Sequence, residues 1–66
     1  MVTHFYKSNK FENTHGSILI CSKNIDCIPS VGTYIKHSGQ CFIVIKVILD
    51  IDNAEYNIYM TRVWSI

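Results

Sequence analysis

The sequence predicts an all-β chain, folded as a partly open five-stranded barrel or a rolled antiparallel sheet. Three observations support this. No window has the 3.6-residue apolar period of an amphipathic helix. Ala54 is the sole alanine, while β-branched and aromatic residues dominate, and these suit a pleated, half-buried surface. Short apolar runs are separated by Gly, Pro, Asn and Ser, the residues that form turns.

The elements follow in chain order. "VTHFYK" (Val2–Lys7) alternates loosely and reads as a first strand. "SNKFENTHGS" (8–17) is polar, carries Gly16 and reads as a loop. "ILICS" (18–22) is a second strand, after which "SKN" leads into "IDCIPSVG". Pro29 and Gly32 bracket a turn there, since Pro cannot donate to a ladder and Gly accepts positive φ. "TYIKH" (33–37) is a third strand, and Ser38-Gly39 is a tight hairpin signal. "QCFIVIKVILD" (Gln40–Asp50) is the longest strand, "IDNA" (51–54) turns, and "EYNIYMTRV" (Glu55–Val63) returns.

With 66 residues the chain is one domain, 1–66. A chain this short buries only about 60% of its unfolded surface, so its core is small. The longest strand sharpens the problem. Apart from Lys46, every residue between its ends is apolar. Eleven extended residues span about 36 Å at roughly 3.3 Å each, whereas a domain of this length is about 25 Å across. The strand must therefore bend or project, and some of its apolar surface is left for a partner.

The last hairpin can be registered through the four-residue turn. An uninterrupted ladder sets Leu49 against Tyr56, Val47 against Ile58, Ile45 against Met60, Ile43 against Arg62 and Cys41 against Trp64. That face is nearly all apolar and is the expected core. The opposite face pairs Ile48 with Asn57, Lys46 with Tyr59, Val44 with Thr61 and Phe42 with Val63. A slip of one residue would exchange the faces. On this register Phe42, Val44, Lys46, Ile48 and Tyr59 form an outward patch, the expected protein-binding site, because interface cores favour aromatic residues and shed charge. Coverage of this patch by "VTHFYK" or "ILICS" is the competing expectation.

The segment "VGTYIKHSGQCFIVIKVILDIDNAEYNIYMTRV" (31–63), with its Val-Gly start, tight Gly turn and bent apolar strand, resembles the meander of SH3-like small β-barrels over about half the chain. With an Ile-, Lys-, Asn- and Tyr-rich composition that fits AT-rich coding sequence, it looks like a small accessory protein of a tailed bacteriophage. The resemblance implies a partner in a host enzyme or defence protein, whose activity such proteins redirect or inhibit. It carries over no site motif.

Other chemistries are weaker. His4, His15, Cys21, Cys27, His37 and Cys41 are competent zinc ligands, but their spacing matches no finger or ribbon. Neither metal nor other cofactor is expected, and Cys21 and Cys41 read as small core residues. Cys27, before Pro29, is the most exposable thiol, yet nothing places a His beside it as nucleophilic catalysis requires. The carboxylates Glu12, Asp26, Asp50, Asp52 and Glu55 gather only at the last turn, where "DIDNAE" lacks the central Gly and length of a calcium loop. No catalytic residues are assigned, and an enzyme is not expected.

The formal net charge of +1, with scattered cations, is not the footprint of a duplex-binding protein. Aromatic residues near Lys36, Lys46 and Arg62 keep a small nucleic-acid-binding barrel as the alternative function. A structural subunit of a larger assembly is a second alternative. A homodimer through the patch or an unpaired edge strand would also cover the apolar surface. "MVTHFYKSNK" is polar within a few residues, unlike a secretory leader. The apolar run is also shorter than the about 20 residues a membrane helix needs. The expectation is a cytoplasmic protein with reduced thiols and no membrane partner, in the host cytoplasm if phage-encoded.

Overall fold

The computed structural model describes residues 1–9 and 16–64. The expected loop across 10–15, the ligand candidate His15, the carboxylate Glu12 and the terminal Ile66 lie outside the described residues. Within them the chain is all-β: β1 (Val2–Lys7), β2 (Ile18–Asn24), β3 (Tyr34–His37), β4 (Gln40–Asp50) and β5 (Glu55–Val63). The strands form one sheet in the order β2-β1-β5-β4-β3. It curls through 211°, as a half-barrel compatible with an open SH3-like barrel. One pairing departs from an all-antiparallel roll: β1 runs parallel to β5, so the sheet is mixed. That parallel pair lies at the centre of the sheet, with neighbours on both sides.

The turns follow from their residues. Ser38 and Gly39 take φ of 51° and 76°, the pair of positive values that a two-residue type I′ hairpin needs. The β4–β5 turn is held by Asp50, whose Oδ1 accepts from the Asn53 backbone N–H at 3.2 Å and whose Oδ2 accepts from the Asn53 side-chain amide at 2.9 Å. These bonds from Asn53 hold the Asp50 carboxyl below its ordinary value. Ala54 closes the turn at φ 54°, a left-handed conformation that suits glycine better.

β2 and β3 are the two edges of the curled sheet, so the connection between them crosses its open mouth. This connection drops Ile25 and Ile28 onto the core. It then joins β4: the Gly32 N–H donates to the Val44 carbonyl, and the Val44 N–H to the Thr33 carbonyl, each at 2.9 Å. The core inside the curl is Phe5, Phe42, Val44, Ile58 and Met60, with Ile20, Cys21, Ile35, Val47 and Tyr56 packed around it. Each fully buried side chain of this kind contributes about 1.5–3 kcal/mol. Five of them make a small core, as the length requires.

The β4–β5 register corrects the sequence expectation in one half. From Asp50↔Glu55 to Lys46↔Tyr59 it is as expected. Ile45 then forms a bulge, and the ladder resumes one residue out of step, with Val44↔Met60, Ile43↔Thr61, Phe42↔Arg62 and Cys41↔Val63. A bulge inserts one unpaired residue, so every side chain beyond it changes face. Phe42 and Val44 thereby enter the core at 2% and 1% exposure and leave the patch where they were expected. Ile45, Ile43 and Cys41 leave the expected core face. Cys41 is half-buried opposite Lys36 and Val63, whereas Cys21 packs on the core as expected.

Candidate functional site

The outer face of the sheet can be read from the pairing. In β1, Thr3 and Phe5 are buried and point inward, so Val2, His4 and Tyr6 point outward. In β5, Ile58 and Met60 point inward and Asn57 and Tyr59 outward. Cross-strand partners share a face. Leu19, Tyr6, Tyr59 and Lys46 therefore make one row across β2, β1, β5 and β4. Ser22, His4, Asn57 and Ile48 make the next row along the strands.

Of the five expected binding residues, the structure keeps Lys46, Ile48 and Tyr59 together on the outer face and removes Phe42 and Val44. Tyr6 and Leu19 take their place. The Tyr6 and Tyr59 rings are stacked, with centroids 5.0 Å apart and an interplanar angle of 16°. Leu19 at one end is half exposed and Ile48 is 37% exposed. The Tyr6 position was visible in the alternation of "VTHFYK". Its place beside Tyr59 was not, because that depends on the parallel β1–β5 pairing.

The second row holds a chain of short contacts. His4 Nδ1 shares a hydrogen bond with Ser22 Oγ at 2.6 Å, and His4 Nε2 lies 2.7 Å from Glu55 Oε2. Serine, histidine and carboxylate in sequence are the parts of a hydrolytic triad. The surroundings differ from one. The ring is turned so that Nδ1, not Nε2, faces the serine. The backbone around His4 is paired on both sides, to β2 and to β5, which leaves no pair of free N–H groups aimed at a substrate oxyanion. The described cavity lies among inward-facing core residues such as Phe5 and Met60. The arrangement ties β1 to β2 and to the start of β5, joining positions 51 residues apart in the chain.

That cavity, about 180 Å³, opens in the seam between the unjoined edges β2 and β3. Its floor is Phe5, Cys21, Ile25, Ile35 and Met60, and its rim is Lys23, Lys36 and His37. Sequence reasoning missed it, because a space between two strands that never pair leaves no mark in local pattern. Elsewhere the Arg62 guanidinium lies 4.0 Å from the Trp64 ring centroid, a cation–π contact. Arg62 Nε is buried and has no hydrogen-bond partner among the described residues.

Among the described residues no three His, Cys, Asp or Glu side chains are grouped to hold a metal ion. All three thiols are free, and Cys27 is the exposed one. No described helix is long and apolar enough to cross a membrane. No protein-family model, curated protein or solved structure matches the chain.

Proposed function

We propose that the chain is a non-catalytic protein-binding module that docks through the outer face of its sheet. The observation that carries this reading is the row Leu19–Tyr6–Tyr59–Lys46 with Ile48 beside it. A stacked tyrosine pair presents a large contact area whose side-chain freedom is already spent, so ordering it on binding costs little. Apolar Leu19 and Ile48 flank it, and Lys46 and the His4–Glu55 pair supply a polar rim, the composition that protein interfaces favour. The small size and AT-rich bias further support a phage-encoded accessory protein, acting in the host cytoplasm as a modulator or inhibitor of a host protein.

The test is capture from bacterial lysate by immobilised chain, compared with Leu19→Glu and Ile48→Glu. Both positions are exposed, so both variants keep the wild-type melting curve. The proposal expects a captured protein whose retention falls at least about tenfold in each variant, the loss of about 1.4 kcal/mol. Retention unchanged in both would remove the outer face from the function.

The nucleic-acid alternative draws on the same row, since tyrosines beside a lysine can stack bases. Against it, Asp50 and Glu55 stand on the same outer face. Gel-shift titration of single-stranded oligonucleotide at low salt is expected to show no complex. A complex weakened by Tyr59→Ser would transfer the row to that reading.

A further inference from the structure

We propose that the seam cleft between β2 and β3 receives the β4–β5 hairpin tip of a second copy of the chain, so that molecules associate head to tail. The cleft has an apolar floor and a cationic rim, and among the described residues no carboxylate lines it. Its 180 Å³ is the room of about six water molecules at ~30 Å³ each, enough for one branched aliphatic side chain.

The hairpin tip is complementary in both respects. Ile51 is 80% exposed and Leu49 46%, the first at the apex of the turn. Between Lys46 and Arg62 the chain carries Asp50, Asp52 and Glu55 and no Lys, Arg or His. An apolar apex flanked by carboxylates thus meets an apolar floor flanked by Lys23 and Lys36. Among the described residues the edges β2 and β3 beside the cleft also lack a paired strand on one side. Their unpaired N–H and C=O groups can bond an entering strand end.

Tip and cleft are different patches, so the contact is heterologous, and repetition makes rings or open filaments. The contact area is small, and interfaces under about 1,200 Å² are weak and transient. Association is therefore expected near about 1 mM and not at about 10 µM. This inference goes beyond the outer-face reading and does not rest on it.

Sedimentation equilibrium of the full chain against concentration tests it. The wild type is expected to rise above the 7.6 kDa of one chain, and less so in high salt. Lys23→Glu/Lys36→Glu, which spoils the cleft, and Ile51→Ser, which spoils the tip, are each expected to stay monomeric. All three positions are exposed, so melting curves confirm that folding is kept. Mixed together, the two variants have one intact tip and one intact cleft, and should form a species of two chains that grows no further. A wild type that remains one chain at about 1 mM overturns the proposal. So do variants that still self-associate, or a mixture that does not pair. Amide shifts on dilution of the wild type are a second reading. Changes at Ile51 and Asp52 together with Ile25 and Ile35 support the contact, and changes confined to Tyr6 and Tyr59 contradict it.

Discussion

Before Ile45, β4 hides Phe42 and Val44 at 2% and 1% exposure; after it, Ile48 and Leu49 stand on opposite faces at 37% and 46%. Ile48 and Leu49 are as apolar as Phe42 and Val44, so hydrophobicity does not explain the difference. Cover does. As far as Val44, β4 has β5 on one side and β3, with residues 32–33, on the other. Beyond Val44 it pairs with β5 alone and becomes an edge. The bulge sits at this change of role, with Lys46 just after it. A lysine on an exposed edge discourages pairing with other chains. The covered half builds the core, and the uncovered half supplies Lys46 and Ile48 to the outer face and Ile51 to the tip.

The strongest way to break this comparison is to insert one serine between Tyr59 and Met60. Ile45 then gains a partner, the ladder runs unbroken, and Phe42, Val44 and Met60 turn out of the core. The insertion is expected to abolish cooperative thermal unfolding and amide shift dispersion. An insertion variant that melts like the wild type would show that the bulge does not decide which side chains form the core.

Single substitutions sharpen the same contrast. Phe42→Ala is expected to cost about 3–5 kcal/mol in a denaturant titration, a large part of the stability of a small domain. Ile48→Ala should change it by less than about 0.5 kcal/mol. Equal losses at the two positions would mean that both halves are covered alike.

A smaller effect belongs to the His4 contacts that hold β1 to its neighbours. His4→Ala is expected to cost about 1 kcal/mol. In a double-mutant cycle, coupling between His4→Ala and Glu55→Gln should stay below about 1 kcal/mol, since both side chains are partly exposed. Zero coupling would mean that the pair is incidental.

The two β4 turns should respond oppositely. Gly39 has open space where a Cβ would stand, so Gly39→Ala meets no clash and its cost, about 1 kcal/mol, comes from φ alone. Ala54→Gly relieves the same left-handed conformation and should be neutral or stabilising by a few tenths of a kcal/mol. Thermal melts of both variants decide this.

The smallest effect is at Asp50. Its carboxyl is held below its ordinary value of 3.8, so its contribution is fully present above about pH 4 and is lost as pH falls through the lowered value. Asp50→Asn should make the acid limb of the stability–pH curve shallower. An unchanged limb would mean that the Asn53 bonds do not form in solution.

Much of the fold was legible from local chemistry. Ser38-Gly39, the 51–54 turn and the β-branched runs place β1, β4 and β5 at their observed bounds, and β2 and β3 within two residues of them. The parallel β1–β5 pairing was not legible, because it joins segments at opposite ends of the sequence. The bulge left a signal that an uninterrupted ladder overlooks. Phe42, the largest side chain of the run, has the same odd–even parity as Lys46, the only charge between its ends. An unbroken strand puts both on one face, and a core that takes the Phe while the Lys stays wet requires a change of phase between them. Three of the five expected site residues kept their place because Lys46, Ile48 and Tyr59 lie on the near side of that change. Phe42 and Val44, on the far side, did not.

The most direct measurement is the pattern of cross-strand nuclear Overhauser contacts between β4 and β5 in the isolated chain. Contacts joining Lys46 to Tyr59 and Val44 to Met60, with Ile45 left without a partner, are the predicted result. Contacts joining Ile45 to Met60 and Val44 to Thr61 would contradict it, returning Phe42 and Val44 to the outer face and dissolving the core described above.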